Sequence, residues 1–384
     1  MTSEREIRMW TPNTILLLFA ILVGGGVAVY RLTSGLGAVT NLNDTYPWGL
    51  WLAFDVLGGV AMAAGGFIIA AAIYLFNWKK YRPIGRPAIL TAFLGYLMAV
   101  IALFLDIGHP FRLWHPIAMW QIHSVMWVVA IHVVLYTTTL AIESSPMLFE
   151  RFNKTRALTA LSKIMVGVVA FGVMLSTLHQ SSLGAVFLIA PARMSPLWFS
   201  EFLPYMFLIS AIAMGLAMVS TEAMLSERFF GHRVDSEIYR GLARGMLITL
   251  AILLVAKIFF LIRSGVGLAF NGSLPGNMYL LEIAIGIILP LLLLINLRFR
   301  TEPRAILGVN ILVITGVLLN RLNVCLFAMQ GYSTAQGASY FPSLMEFLLT
   351  LGIVAFGIFL YKMAALYLPL FAKPIEPSGR SENA

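Results

Sequence analysis

The chain holds a single cysteine, Cys325. One thiol excludes an internal disulfide, and it excludes a cysteine-ligated iron–sulfur cluster, which needs several thiolates. Charge is also scarce: Asp, Glu, Lys and Arg together make up 11% of the 384 residues, against about 25% in an ordinary soluble domain. There is no low-complexity tract, no polar stretch long enough to form a soluble domain, and no clear internal repeat. What remains is apolar, with 60% hydrophobic residues gathered in runs of about 20, the length that spans a bilayer as a helix. Such runs are too long for barrel strands, so the expected class is an all-α integral membrane protein. The net charge of +9 does not point to nucleic acid, because the basic residues lie between the apolar runs, where they orient helices.

Ten runs are expected, at 14–30, 49–76, 88–107, 118–142, 157–178, 197–225, 242–262, 277–297, 304–320 and 343–368. Run 15–30 follows Arg5 and Arg8 and lacks a small-residue cleavage site, so it reads as an uncleaved first helix. The connections alternate in charge. Lys79, Lys80, Arg82 and Arg86 follow the second run, and Arg151, Lys154 and Arg156 the fourth. Arg228, Arg233, Arg240 and Arg244 follow the sixth, and Arg298, Arg300 and Arg304 the eighth. The other connections carry one arginine each: Arg31, Arg112, Arg193, Arg263 and Arg321. By the positive-inside rule both termini are cytoplasmic and the odd connections lie outside. The expected organisation is a ten-helix membrane domain over 1–372 and a disordered cytoplasmic tail over 373–384. Two four-helix bundles, about 49–178 and 197–320, are expected with flanking helices. The outside connections are long, rich in Gly, Pro, Asn and aromatics, and poor in charge. That composition folds onto a surface and marks the face where a partner or ligand is handled.

The stretch 46–67, YPWGLWLAFDVLGGVAMAAGGF, stands out. It opens on a Pro-Trp-Gly turn with Trp48 and Trp51, then carries Asp55 about two turns into an apolar helix. An ionised Asp at the bilayer centre costs about 2.5–3.5 kcal/mol on insertion scales. Small residues follow, from Gly58 to Gly66, and allow close helix approach. Asp55 is therefore a functional candidate, the alternative being a structural Asp satisfied by a neighbouring helix. Asp106 and His109 are expected at the outer end of helix three, His123 just inside helix four, and His179 at the end of helix five. Lys257 and Arg263 fall near the outer end of helix seven, Glu282 and Glu346 begin helices eight and ten, and Arg321 ends helix nine. Charges of both signs at one depth shift one another and hand off protons; the plain alternative is helix ends reaching outer headgroups, which suits Arg263 and Arg321. His179 lies in LHQSSLG, where an apolar helix meets hydroxyls and glycine, and an imidazole there can serve a quinone carbonyl. A thinner set leads inward: Tyr96, His132, Glu143, Glu222 and Arg86. It reads as a proton path or as ordinary helix ends.

A b-type haem would need two histidines facing across a bundle. His123 and His132 share a helix about 13 Å apart, so they would serve different haems, and His123 with His179 is the pair left open. A solute or ion transporter would also carry intramembrane charge, but such sites lie near the midplane at broken helices in repeat-related positions.

Taken in order, the stretches YPWGLWLAFDVLGGVAMAAGG (46–66), RPAILTAFLGY (86–96), LDIGHP (105–110), LHQSSLG (178–184), SPLW (195–198) and LNRLNV (319–324) resemble the NrfD/polysulfide-reductase membrane-subunit family. They are most similar to its ten-helix, HybB-type branch, the membrane subunits of periplasmic Ni–Fe hydrogenases. The resemblance implies a quinone-reactive subunit of the inner membrane with menaquinone or ubiquinone as bound substrate and no haem or iron–sulfur cluster of its own. It implies a periplasmic ferredoxin-like iron–sulfur partner on the outer connections and, through it, a catalytic subunit such as a Ni–Fe hydrogenase. Carried over by match, Asp55 and His179 are quinone-site residues, with Asp106, His123 and Gln180 taken beside them. Arg86, Tyr96, Glu143 and Glu222 match proton-path positions. HybB-type relatives carry a glutamate one turn after the His-Ser-Val stretch of helix four; here Val128 stands at that place.

Overall fold

A computed structural model describes residues 9–371 of the chain. Ten helices long and apolar enough to cross a membrane run through it: α1 Pro12–Ser34, α2 Trp51–Leu75, α3 Lys79–Asp106, α4 Val125–Arg151, α5 Thr155–Ile189, α6 Leu203–Phe230, α7 Ser236–Ser264, α8 Leu274–Ile295, α9 Pro303–Ala335 and α10 Leu344–Tyr367. No strand occurs among the described residues, only one isolated bridge between Asn43 and Tyr46. The all-helical, ten-span expectation holds, and the protein is a multi-pass membrane protein. The tail at 373–384, Arg5 and Arg8 lie outside the described residues.

Capping explains several starts. Ser124, Asp235 and Ser273 each accept a bond from a backbone N–H of the following turn, and Ser343 with Glu346 forms a full capping box at α10. Successive spans run in opposite directions. The connections at 35–50, 107–124, 190–202, 265–273 and 336–343 therefore share one end of the molecule, here called the loop end. The basic connections share the other.

α2 and α6 are the most enclosed spans. They meet at Gly65 and Gly215, where a Cβ on Gly215 would come within 2.5 Å of the Gly65 nitrogen. Only glycine admits that approach, which brings the α2 and α6 backbones into contact. Around this crossing sits the largest core cluster, with Val60, Ala64, Tyr96, Tyr136, Phe187, Phe207, Tyr279 and Val324 drawn from α2, α3, α4, α5, α6, α8 and α9. α1 and α10 pair with each other through Gly24 and Gly352, and α10 lies against α2 and α3. Among the described residues four stretches are wound as π-helix: 51–58 and 71–75 in α2, 284–288 in α8 and 323–327 in α9.

Boundaries differ from expectation where polar residues look like helix breakers. α5 runs on from the expected 178 to Ile189. Its Ser181 and Ser182 hydroxyls donate back to the Thr177 and His179 carbonyls, at 2.9 Å each, and so stay inside the helix. α9 runs on from 320 to Ala335, because Asn320 and Asn323 spend their side chains on α8 and not on their own backbone. α4 begins later, at Val125.

Candidate functional site

Polar groups collect inside α3, α4 and α5. His179 is fully buried, and neither ring nitrogen finds a partner among the described residues. The Tyr96 ring stands 5.6 Å from it and the His132 ring 6.3 Å, centroid to centroid. Tyr136 meets Tyr96 edge-on at 4.7 Å. The His132 Nδ1 and the Glu143 Oε2 are likewise buried and unpartnered, and the Tyr96 and Tyr136 hydroxyls face the Ser176 hydroxyl. Glu143 lies two turns beyond Tyr136 and faces α5 at Gly172, where a Cβ would come within 2.5 Å of its Oε1. One buried atom left unpaired costs about 1–3 kcal/mol. A run of them on neighbouring helices marks a place built for water, protons or a polar ligand head.

The sequence reading found His179, Tyr96, His132 and Glu143 of this string but missed Tyr136 and Ser176. Their signal was spacing: Tyr136 is four residues from His132 and Ser176 three before His179, which puts each pair on one helix face. The expected depth of His179 needs correcting. It does not end its helix, since the helix continues for ten more residues, to Ile189. Gln180 donates to the Val60 carbonyl at 2.9 Å, five residues past Asp55 in α2. His179 therefore lies deeper than Asp55 by about 7 Å of helical rise.

Asp55 belongs to a different group. It is buried within the π-helical start of α2 and accepts a 2.6 Å hydrogen bond from the Thr350 hydroxyl of α10. One turn along each helix, the Trp51 indole donates to the Glu346 carbonyl at 3.1 Å. The Glu346 carboxylate is buried and accepts from the Tyr340 hydroxyl and from the backbone N–H of Asn41 and Ser343. Burial, together with the Glu346 carboxylate, pushes the Tyr340 hydroxyl above its ordinary range, so it stays a donor. Asp106 lies within charge–charge range of Asp55 and Glu346. Arg31, expected as a loop arginine, is instead buried and donates to the Leu105 and Ile107 carbonyls at the end of α3, at 2.6 and 2.5 Å.

The remaining candidates scatter. His123 is exposed in a turn before α4, not inside the helix. Arg86 pairs with Glu150 at 2.5 Å and donates to the Pro369 carbonyl at the basic end. Glu222 accepts from Thr91 at 2.7 Å, with Tyr361 beside it, and so forms a small group apart from Glu143.

A third group, in the second half of the chain, is gathered around one carboxylate whose two oxygens are both engaged. Glu282 accepts from Lys257 at 2.7 Å, Asn320 and Asn323 at 2.8 Å each, and Trp198 at 2.9 Å. Arg321 donates to Asn320, the Phe207 carbonyl and Ser210, and stacks 3.6 Å from the Phe207 ring centroid. Arg321 is therefore not a helix end reaching headgroups. It lies in mid-helix at 1% exposure.

The loop end itself is apolar and aromatic. Phe111, Trp114, Met119, Trp120 and Ile122 are exposed between α3 and α4. A bowl of about 390 Å³ opens between Pro47, Trp48, Met329 and the 189–193 segment, with Arg193 on its wall.

Comparison with known proteins follows the same lines. The family model described as polysulphide reductase, NrfD, matches residues 38–333. A protein of Nitratidesulfovibrio vulgaris Hildenborough is 37% identical over 371 residues, covering 94% of this chain and 95% of that protein. The probable Ni/Fe-hydrogenase 2 b-type cytochrome subunit of Escherichia coli K12 is 33% identical over 348 residues, covering 89% and 88%. The menaquinone reductase integral membrane subunit of N. vulgaris is 28% identical over 402 residues, covering 97% and 94%.

Proposed function

Because the chain belongs to the polysulphide reductase NrfD family of membrane subunits of quinone-linked redox complexes, we propose that it is the quinone-reactive anchor of such a complex in the inner membrane. In this reading it passes electrons between a periplasmic ferredoxin-like iron–sulfur subunit and menaquinone or ubiquinone, with a catalytic subunit such as a Ni–Fe hydrogenase behind that partner. Both termini are cytoplasmic and the loop end faces the periplasm. The first bundle, about 49–178, carries the chemistry; the second, about 197–320, supports it through the Glu282 network.

The observation that carries the reading is the His179 imidazole, buried with both nitrogens unpartnered beside Tyr96, His132 and Tyr136. A quinone brings two carbonyls that need hydrogen bonds once buried. Reduction to quinol takes two electrons and two protons. The neutral imidazole of His179 donates to one carbonyl, and Gln180 fixes the helix by its bond to Val60. Asp55 and Asp106 are the carboxyl groups that hold or release protons near the loop end, while Tyr96 and Glu143, continued by Arg86 and Glu150, form a line toward the basic end. Glu222 and His123 stand apart from both lines.

We take the chain to bind no haem. Support comes from His132 and His179, the two histidines inside spans among the described residues. They sit on directly packed helices, with Tyr96 and Tyr136 filling the flanks where a macrocycle would extend. The exposed aromatic segment at 111–122, Arg112 and the Arg193 bowl support docking of the iron–sulfur partner at the loop end.

The test is His179→Ala and Asp55→Asn in the assembled complex. Each should lower quinone turnover by about 10²-fold or more, while electron transfer from the partner to an artificial acceptor continues. Assembly with wild-type quinone turnover in both would remove the reading.

A further inference from the structure

Two polar lines leave the interior in opposite directions, and of the second only the inner end, Asp55, has a role so far. Asp55 accepts from Thr350, and Glu346 sits one turn before Thr350 on the same face of α10. Side chains four apart on a helix have Cβ atoms about 5–6 Å apart, within reach of one another or of one bridging water. Among the described residues, every bond to the Glu346 carboxylate comes from the loop-end side: Tyr340, Asn41 N–H and Ser343 N–H. Asn41 is exposed and Tyr340 half-buried. Gly49 keeps the line in place, because a Cβ there would run into the Tyr340 hydroxyl, which also accepts from the Leu50 N–H at 3.0 Å. A capping box needs only the Ser343–Glu346 pair. It does not account for a buried carboxylate on α2 bonded to the next polar residue along α10.

We propose that Asp55, Thr350 and Glu346 form a proton conduit between the interior of α2 and the water at the loop end, and that Tyr340 orients its outer carboxylate. A proton from loop-end water binds Glu346. Glu346 then gives a proton to the Thr350 oxygen as the Thr350 hydroxyl proton passes to the Asp55 carboxylate. No electron moves, and rotation of the Thr350 hydroxyl and loss of the proton from Asp55 reset the line. Run backwards, the same steps release protons. Asp106 and Arg31 are the other charged groups facing this line, from α3 and α1. The inference rests on the quinone reading, since quinone chemistry supplies or consumes the protons at Asp55, and it adds the side of the membrane from which they come.

The test uses the intact complex with its redox partner, reconstituted into liposomes. Dithionite-reduced viologen feeds the partner, a short-chain menaquinone analogue is the acceptor, and an impermeant pH indicator sits in the loop-end compartment. Wild type takes protons from that compartment in step with quinone reduction. Thr350→Val slows quinone reduction at least about tenfold, and Thr350→Ser, which keeps the hydroxyl, restores it. Glu346→Gln, which keeps the capping geometry, uncouples turnover from loop-end pH. Should Thr350→Val fail to assemble, Glu346→Gln and the side of wild-type uptake decide the matter. Uptake only from the basic side, or Thr350→Val and Glu346→Gln both at wild-type rate and sidedness, overturns the conduit and leaves the quinone reading standing. A wild-type complex that passes electrons from reduced viologen to an artificial acceptor dye but never to the quinone removes both.

Discussion

His179 and Glu282 are both buried acid–base residues, yet they do opposite things. His179 keeps its nitrogens unpartnered, and Glu282 spends both oxygens on four donors. The first pattern is that of a site, the second of a brace. Removing one member of a buried ion pair leaves the other charge stranded and costs about 3–5 kcal/mol. Glu282→Ala should therefore lower the thermal stability of the detergent-solubilised protein by an amount in that range, while Asp44→Ala, on an exposed residue, leaves it unchanged; equal unfolding temperatures would show the brace to be idle. Residue type alone singled out Asp55, because a carboxylate in an apolar run is conspicuous. Arg321 and Arg31 were misread as loop or headgroup arginines, since nothing in the sequence says that Phe207, Ser210 or the end of α3 stands ready to receive them.

Helix existence was legible from run length; helix ends were not. In α5 and α9 serines and asparagines looked like breakers, but their side chains bond within the helix or to α8. The π-helical stretches carry no local signal, because the winding depends on what each helix packs against. One of them, 284–288, lies where α8 crosses α9. There a Cβ on Gly316 would come within 2.0 Å of the Gly286 Cα. Gly316→Ala should cost more than the about 1–3 kcal/mol typical of overpacking, because backbone faces it and cannot move aside as a side chain does. Gly25→Ala, which meets nothing within 4 Å, is the matched control. Thermal unfolding of both variants reads the difference, and a Gly316→Ala protein as stable as the control would mean that the crossing is looser than described.

At the scale of the whole molecule, ten spans and the charge alternation follow from composition and spacing. The partition of polar groups does not, because it depends on which helices are neighbours. Successive spans supply two of the groups, α3, α4 and α5 the His179 string and α6 to α9 the Glu282 brace, while the Asp55 line joins α2 to α10 across almost the whole chain. The depth of His179 relative to Asp55 became visible only through the bond from Gln180 to Val60. The central claim is that quinone is handled by the His179 string in the first half of the chain. An azido-quinone, photolysed on the assembled complex and mapped by mass spectrometry, tests it directly. The account predicts label on peptides of α3, α4 and α5 that include Tyr96, Tyr136 or Ser176 to Gln180, and loss of that label in His179→Ala. Specific, quinone-displaceable label confined to α7, α8 and α9 around Lys257, Glu282 and Arg321 would contradict it.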